Sequence, residues 1–190
     1  MKVAILNDTH AGCRNSSDIF MAYQERFYSE VFFPYLLENN IRHILHLGDY
    51  YDNRKTINFK ALQHNRKIFL EPMRKHGITM DIIPGNHDVY YKNTNATLVG
   101  AHLELAGFEM SRGQVCMDGM DKSVFDRFET VLTGHFHAKS SMGNIHYLGA
   151  QMEFFWNDCG DPKHFHVLDM ETRELTPVRN PITIFEKIYY

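Results

Sequence analysis

The sequence predicts an α/β protein organised around parallel strands, and three observations lead to this prediction. Apolar runs at 2–6, 41–47 and 78–83 have the length and composition of buried strands. Segments with helical spacing of apolar residues separate these runs, and such alternation favours parallel pairing through right-handed crossovers. The chain has 190 residues, 44% of them hydrophobic and 23% charged, which is enough for one domain with its own core.

Two helices are predicted between these strands. The first starts at Ser16-Ser17-Asp18 and is expected to bend or break after Phe33, because Pro34 cannot donate a helical hydrogen bond. The second covers 58–75 and ends at Gly77, with Pro72 as its unfavourable residue. The apolar residues expected to face the core are Phe20, Tyr23, Phe27, Val31, Leu36 and Leu37 in the first helix, and Phe59, Leu62, Ile68 and Phe69 in the second.

The second half of the chain is predicted to contain further strands at 128–133, 145–148, 164–169 and 182–189. A short helical turn is expected at 123–126, whereas 103–110 and 113–121 have irregular patterns. The connection 149–161 is rich in aromatic residues and methionine. We interpret it as a cap over the core, with a wall of a substrate groove as the alternative.

Composition narrows the classes of function and location. The formal net charge is −3 and the pI is about 6.4, so nucleic-acid binding would need a local patch or bound metal. The three cysteines form no C-x-x-C pair, which argues against a disulfide framework and fits a reducing cytosol. The apolar run 3–6 is too short for a signal peptide, and no stretch approaches the ~20 residues of a membrane span. The sequence therefore predicts a cytoplasmic protein that does not enter a membrane.

Polar side chains follow the predicted strands where each strand ends. Asp8 and His10 come directly after the first strand and, two residues apart in extended chain, point the same way. Asp49 follows the second strand, and Pro84-Gly85-Asn86-His87-Asp88 follows the third. Gly134-His135-Phe136-His137 follows the strand predicted at 128–133. Because ligand sites gather beyond the carboxyl ends of strands in α/β sheets, we expect these groups to lie close together.

A pair of metal ions is the chemistry that this set of groups favours. His102 joins the set because it lies sixteen positions after Asn86, a separation that spans up to ~50 Å in extended chain. Imidazoles and carboxylates without thiolates favour Mn²⁺, Fe or Zn²⁺ over Mg²⁺ or Ca²⁺. Seven such groups are too many for one small cation and suit two ions that share a bridging carboxylate. The candidate ligands are Asp8, His10, Asp49, Asn86, His102, His135 and His137.

Other histidines and a basic cluster are interpreted differently. His43 and His46 lie within the second strand and are taken as structural. The segment His164-Phe165-His166 also lies inside a predicted strand and lacks the glycine turn, so it too is taken as structural. The cluster Asn53-Arg54-Lys55 is interpreted as a solvated loop, with a phosphate-facing clamp as the alternative.

The ordered series of motifs resembles the calcineurin-like metallophosphoesterase family. The five elements are Asp8-Thr9-His10, Gly48-Asp49-Tyr50-Tyr51-Asp52, Gly85-Asn86-His87-Asp88, His102 and Gly134-His135-Phe136-His137. Within the family the chain looks most like the Mre11/SbcD nucleases, including their phage recombination endonucleases. The likeness extends to the start of the chain, to 84–91, to 102–108 and to Tyr147-Leu148-Gly149-Ala150. It implies a β-sandwich of two mixed sheets flanked by helices.

The resemblance also implies roles for individual residues. Asp8, His10 and His137 would bind one metal, Asn86, His102 and His135 the other, and Asp49 would bridge them. His87 would contact the scissile phosphate and protonate the leaving oxygen, with Asp88 orienting it. Asp52 would support the ligands without binding metal. Two Mn²⁺ ions are the first expectation, with Fe, Zn²⁺ and Mg²⁺ as alternatives.

The chain departs from the nuclease pattern in two places. Relatives carry several tens more residues between the Asn-His-Asp turn and the lone histidine, and they continue beyond the position of Tyr190 into a DNA-binding cap and an ATPase-binding segment. Residues 1–190 are therefore expected to form a single, shortened nuclease domain. The implied partners are DNA and a Rad50/SbcC-like ATPase, a homodimer being a further arrangement, and the implied location is the cytoplasm of the host if a phage encodes the chain.

Three functions follow from this sequence. The first is a two-metal phosphodiesterase acting on DNA as endonuclease and 3′–5′ exonuclease, the catalytic subunit of an Mre11–Rad50/SbcCD-like recombination and repair complex. The second is a small-substrate phosphatase or cyclic-nucleotide phosphodiesterase. The third is a non-catalytic DNA-binding subunit with an impaired metal site.

Overall fold

A five-stranded mixed sheet organises the molecule. The structure is a computed structural model that describes residues 1–89, 104–111 and 113–188. The sheet has the order β10-β9-β1-β2-β3, formed by β1 (Lys2–Leu6), β2 (His43–His46), β3 (Thr79–Ile82), β9 (Lys163–Asp169) and β10 (Leu175–Asn180). Strands β1, β2 and β3 are parallel, and β9 and β10 continue the sheet in antiparallel fashion. The predicted parallel core of the fold is thereby confirmed.

The helices α1 and α2 connect the parallel strands, and each contains a π-helical stretch. Helix α1 covers 18–38 and consists of Asp18–Arg26, the π-helical Phe27–Phe32, and Phe33–Glu38. Helix α2 covers 59–75 and consists of Phe59–Asn65, the π-helical Arg66–Leu70, and Glu71–Lys75. Asn58 caps α2 by accepting a 2.8 Å hydrogen bond from the amide of Lys60.

The predicted break after Phe33 is wrong, and the π-helical stretches explain why. Pro34 and Pro72 each stand in the first turn of the helical segment that follows a π-helical stretch. The wider turn before each proline changes the local hydrogen-bond register, so the helix accepts a residue that lacks a backbone N–H. Both helices therefore continue through their prolines.

One face of the large sheet packs against both helices. The main core includes Leu6, Ile44 and Phe165 from the strands and Phe32 and Phe69 from the helices. Val3, Ile5 and His166 alternate with these strand residues and are also at most 2% exposed, so the sheet is covered on both faces.

The inward face of α2 differs from the predicted one in its first turns. Phe59 is 79% exposed and Leu62 is 40% exposed, whereas Ala61 and Asn65 are buried with Ile68 and Phe69. The buried positions recur at three- and four-residue intervals that exclude 59 and 62. A Cβ on Gly12 would lie 2.7 Å from the Cβ of Ala61, so the two residues meet closely where α2 packs against the loop of Gly12.

Three short strands form a second mixed sheet with the order β6-β8-β7. These are β6 (Val131–Thr133), β7 (Ser140–Met142) and β8 (Ile145–Tyr147), with β6 parallel and β7 antiparallel to β8. Strands β4 (Glu109–Ser111) and β5 (Gln114–Val115) pair separately, and 3₁₀ turns form at Lys122–Phe125 and Trp156–Asp158. Several sheets flanked by helices agree with the predicted class of fold.

The last predicted strand is wrong. Residues 182–188 form no strand, and the chain instead pairs β10 with β9 at Leu175–Asn180. Pro177 lies within β10, which is at the edge of the sheet in the described residues, where a missing N–H breaks no ladder.

Strand β3 is less buried than predicted. Ile82 and Ile83 are 44% and 43% exposed, and β3 is the edge of the sheet in the described residues. No helix in the described ranges is long and apolar enough to cross a membrane.

Candidate metal centre

Four of the predicted ligands adopt strained backbone conformations just after a strand. The φ angles are 48° for Asp8, 43° for His10, 56° for Asp49 and 77° for His135. Positive φ is uncommon for residues other than glycine and persists where the surrounding structure enforces it, often at functional sites. This backbone feature singles out the same positions as the sequence motifs.

Asp8 ties the end of β1 to the turn after β6. Its carboxylate is 1% exposed and accepts hydrogen bonds from the amide of His135 at 2.9 Å and from Asn7 Nδ2 at 2.6 Å. A Cβ on Gly134 would lie 2.8 Å from the Cβ of Asn7, so glycine is needed where the two segments meet. The first and the last predicted motifs are therefore in direct contact.

The loops after β2 and β3 interlock in the same way. Asp49 Oδ1 accepts a 2.8 Å hydrogen bond from the amide of His87. A side chain on Gly85 would collide with Asp49, which explains the glycine before Asn86. The Asp88 carboxylate accepts bonds from the amides of Gly85 at 2.8 Å and Tyr50 at 3.0 Å, whereas His87 Nδ1 bonds to the carbonyl of Asp52, so the role of Asp88 in orienting His87 stays a prediction. Asp88 thus fixes the two loops against each other.

Asp8, His10 and His137 form a compact group of possible ligands. One ligand atom from each residue lies within 4.8 Å of the ligand atoms of the other two. Burial opposes the ionisation of Asp8, but the neighbouring His137 and His10 hold the pKa of this carboxyl below its usual value. Burial also opposes the charging of His10, yet the carboxylates of Asp52, Asp8 and Asp49 raise its pKa overall. These three residues are the set that the family resemblance assigned to one metal.

His87 lies beside this group. Its ring centroid is 4.9 Å from that of His10, and His10, Asp52 and His87 form a second group with ligand atoms within 4.8 Å. His87 Nδ1 donates to the backbone carbonyl of Asp52, so Nε2 is the ring nitrogen that can carry a proton to a substrate. The Asp52 carboxylate lies 3.4 Å from His10 Nδ1, next to a predicted ligand.

The structure places Asn86 and His135, two further predicted ligands, near the residues described above. Asn86 is buried and directly precedes His87, whose amide is bonded to Asp49. His135 lines a cavity together with Asp49, and its Nε2 is 3.3 Å from Glu104 Oε1. His102 lies outside the described residues.

The cavity at these residues also contains side chains that the motifs did not reveal. It has a volume of about 410 Å³, and Cys13, Arg14, Asn15, Phe154 and Phe155 line it beside the predicted ligands. Arg14 is held by the carbonyl oxygen of Phe154, to which its Nη2 donates at 3.0 Å. No periodicity or motif marks Arg14, because the left-handed turn that carries it, Cys13–Ser16, has no simple sequence signal.

A buried ion pair supports His137 from behind. Lys163 is 3% exposed, and its Nζ donates to the His137 carbonyl at 3.0 Å and to Asp158 Oδ1 at 2.9 Å. Asp158 Oδ2 is 4.0 Å from His137 Nδ1. Burial opposes ionisation of Asp158, but His137 and Lys163 lower the pKa of its carboxyl well below the usual value. The ion pair therefore fixes the backbone of His137 and places a carboxylate behind its ring.

The basic cluster that followed the second motif lies next to His87. Arg54 and Lys55 line a neighbouring cavity of about 600 Å³ together with Tyr51, Pro84 and His87. This position agrees with the phosphate-facing alternative more closely than with a loop distant from the site.

The chemistry of the site suits divalent cations. Burial and the charge of Asp8 raise the pKa of Asp49, so a second carboxylate here is unfavourable unless a cation is bound. His10 Nδ1 is buried and has the Asp52 carboxylate 3.4 Å away as its charged neighbour among the described residues, so this side of the ring can also face a cation. Oxygen and imidazole donors without thiolate are those that Mn²⁺, Fe and Zn²⁺ bind. The residues present therefore fit a metal centre.

A mixed α/β sheet with carboxylates and imidazoles beyond its strand ends defines a hydrolase of the metal-dependent phosphoesterase class. The family model of the calcineurin-like phosphoesterases matches residues 1–150. This chain belongs to the calcineurin-like phosphoesterase family, whose members use divalent metals.

One curated relative and two solved structures are similar to the chain. Exonuclease subunit 1 of Enterobacteria phage T4 is 24% identical over 243 aligned positions, which cover 100% of this chain and 71% of the relative. An archaeal phosphodiesterase has a TM-score of 0.43 at 14% identity, covering 95% of this chain and 100% of its own. A phosphoesterase from Streptococcus pneumoniae TIGR4 has a TM-score of 0.31 at 12% identity, covering 88% and 83%.

Proposed function

We propose that this chain is a two-metal phosphodiesterase that cleaves DNA, acting as an endonuclease and a 3′–5′ exonuclease with Mn²⁺. The observation that carries the proposal is the meeting of Asp8, His10 and His137 beside the ring of His87. Membership of the phosphoesterase family supports hydrolysis of a phosphate ester. The phage relative is named an exonuclease subunit, and this supports DNA as the substrate and a multi-subunit complex as the setting.

The protein groups would divide the work of hydrolysis. Asp8, His10 and His137 would hold one ion, while Asn86, His102 and His135 would hold another, with Asp49 between them. When bound, two divalent ions of this kind activate a water and offset the negative charge on the phosphate. His87 would donate a proton from Nε2 to the leaving oxygen, since its Nδ1 is engaged by the Asp52 carbonyl.

The arrangement of the loops supplies the rigidity that such chemistry needs. The Asp8 carboxylate and the Asp49 carboxylate each accept a backbone hydrogen bond from a different motif, His135 and His87 respectively. The positions of these two candidate ligands are therefore fixed by backbone contacts that do not depend on a metal.

A substrate panel tests this proposal. The purified chain would be incubated with Mn²⁺ and supercoiled plasmid, end-labelled linear DNA, bis(p-nitrophenyl) phosphate, p-nitrophenyl phosphate and a cyclic nucleotide. We expect nicking of plasmid, shortening of the labelled strand from its 3′ end, and turnover of the nitrophenyl diester.

Two other outcomes would each replace the proposal. Rapid turnover of the nitrophenyl monoester or the cyclic nucleotide, with intact plasmid, would indicate a small-substrate enzyme. Fewer than two ions per chain and no cleavage of any ester would indicate a non-catalytic subunit. A Rad50/SbcC-like ATPase partner stays a prediction, and co-purification with such an ATPase would test it.

A further inference from the structure

Two exposed aromatic side chains follow the buried part of the connection 149–161, and one of them, Phe155, lines the cavity at the metal centre. The connection 149–161 begins as a cap over the core, and residues 150–154 are at most 2% exposed. At the next two positions the chain turns outward, and Phe155 and Trp156 are 50% and 55% exposed. Trp156 packs against Phe185, with ring centroids 5.6 Å apart, whereas Phe155 faces the candidate metal centre.

These rings are held in place rather than loosely attached. The amides of Phe154 and Phe155 donate to Asp158 Oδ2 at 2.8 and 2.9 Å, and Asp158 is paired with the buried Lys163. The 3₁₀ turn Trp156–Asp158 follows directly. The same carboxylate therefore fixes the aromatic corner and lies behind His137.

Phe155 links the metal centre to a neighbouring cavity. Its ring is nearly parallel to that of His137, with centroids 5.4 Å apart, and the guanidinium of Arg14 is 4.9 Å from its centroid. Phe155 also lines a cavity of about 300 Å³ with Met110, Phe136 and Asn157. That volume is at the lower end of the range for small-ligand pockets. Glu104, His135, His137 and Asp158 also line the cavity, so its wall combines aromatic rings with an amide, two imidazoles and two carboxylates.

These groups match the chemistry of an unstacked nucleotide. Aromatic rings and guanidinium planes stack on nucleobases, an asparagine amide can bond to base edges, and an arginine attracts the phosphate next to the base. Bases within a duplex are stacked on one another, so an aromatic subsite of this kind is filled by a single-stranded or frayed end. The net charge of −3 makes such local recognition necessary, because the overall charge does not attract DNA.

We propose that Phe155, Arg14 and Asn157 form a base-binding subsite for the nucleotide next to the scissile phosphate, and that the chain therefore prefers single-stranded over duplex DNA. This inference rests on the proposed function, since it names the form of DNA that the same site takes. Trp156 lies between Phe155 and Asn157 in the chain and provides a probe of this segment, because it is the one tryptophan in the sequence.

A fluorescence titration tests the subsite without cleavage. Trp156 emission would be followed as a 12-residue oligothymidylate is added in the presence of a chelator, with a fully abasic oligomer of the same length as control. We expect saturable quenching by the oligothymidylate and much weaker binding of the abasic oligomer. Phe155→Leu should weaken oligothymidylate binding roughly 5- to 150-fold, the range given by ~1–3 kcal/mol of stacking per base.

Phe128→Leu is the matched control variant. Phe128 is 44% exposed and has the Arg127 guanidinium 4.8 Å from its ring centroid, so it has the same chemistry as Phe155. It precedes β6, however, whereas His135 follows that strand. Phe128→Leu should bind the oligothymidylate as the wild-type chain does.

The outcomes separate this inference from the proposed function. If the wild-type chain cleaves DNA but Trp156 emission does not respond to oligothymidylate, or if Phe155→Leu and Phe128→Leu bind equally, the subsite is disproved. If the chain cleaves nitrophenyl esters and neither binds nor cleaves DNA, the proposed function itself fails. The wild-type titration decides the question even if Phe155→Leu does not fold.

Discussion

The same tripeptide, His-Phe-His, occurs at 135–137 and at 164–166, and the two copies have different surroundings. In both, the central phenylalanine is buried in a hydrophobic cluster, Phe136 at 3% and Phe165 at 1% exposure. In the first copy, His137 lies with Asp8 and His10 in a group of ligand atoms. In the second, His166 is 1% exposed and neither ring nitrogen has a hydrogen-bond partner among the residues that the structure describes.

Position along the strand explains this difference. The first copy follows β6, where the backbone turns and His135 adopts a φ of 77°. The second copy lies inside β9, where His166 pairs with Ile5 of β1 and Pro177 of β10. In this protein a histidine becomes a candidate ligand where carboxylates at the strand ends lie close to it. The His-x-His spacing is insufficient by itself.

Removing one histidine from each His-Phe-His copy should give the largest difference in activity between two variants. We expect His137→Ala to lower kcat/KM for bis(p-nitrophenyl) phosphate by more than the ~10²–10⁴-fold contribution of a general acid, because one ion loses a ligand. His166→Leu should change the same constant less than about threefold, since the ring lies away from the candidate ligands. Equal losses in the two variants would contradict the assignment of the first copy to the metal centre.

His87→Ala tests whether the histidine beside the first copy transfers a proton. We expect a ~10²–10⁴-fold loss of kcat with the metal content unchanged, because His87 is proposed as proton donor and not as ligand. Elemental analysis of the purified variant measures the metal, and His43→Ala serves as a control outside the cavity. A normal rate would reject the role of His87, and loss of metal would make it a ligand.

The sequence predicted the site better than it predicted the surroundings of the site. Asp8, His10, Asp49 and His137 were identifiable because each is a polar residue at the end of an apolar run. Lys163 and Asp158, which support His137, could not be identified in this way because their contact arises only from tertiary packing.

The helices and the edges of the sheet also have features that the sequence could not predict, because these features depend on tertiary structure. Pro34 was predicted to break α1, but a π-helical stretch accommodates it, and no local pattern announces that stretch. β10 was not predicted, and it contains Pro177, which an edge strand tolerates only because of which strands are its neighbours. In both cases tertiary structure decided what local propensity could not.

Metal binding at the site that includes the first His-Phe-His copy should stabilise the protein, and the second copy should not contribute to this effect. At a concentration 100 times the dissociation constant, Mn²⁺ should raise the free energy of unfolding by about 2.7 kcal/mol per independent site. Asp49→Ala should lose both ions and this gain, because Asp49 is proposed to bridge them. Thermal unfolding with and without chelator measures the gain, and His166→Leu, which retains every candidate ligand, should show the wild-type shift. An Asp49→Ala variant that still binds two ions would reject the bridge.

His166→Leu should itself increase stability at neutral pH. A buried imidazole without partners costs ~1–3 kcal/mol relative to a group that needs none, so leucine should raise the free energy of unfolding by about that amount. His46 is the matched control, because it is equally buried but hydrogen-bonded to Thr9 Oγ1 at 3.0 Å and to the amide of Gly48 at 3.1 Å. His46→Leu breaks both bonds and should lower the free energy of unfolding.

The pH dependence gives the same comparison a second measurement. Burial lowers the pKa of His166 from its ordinary value of 6.5 to about 3, and that of His46 to about 4. The unfolded chain therefore binds a proton at each histidine at a higher pH than the folded chain does. As the pH falls from 6.5 toward the folded pKa, each histidine lowers the free energy of unfolding by about 1.4 kcal/mol per pH unit. Between pH 6.5 and pH 5, urea unfolding of His166→Leu should show a loss smaller than that of the wild-type chain by about 2 kcal/mol. If the loss between pH 6.5 and pH 5 is the same in both chains, His166 has a proton acceptor or donor in the folded protein. The two His-Phe-His copies would then differ less than their surroundings indicate.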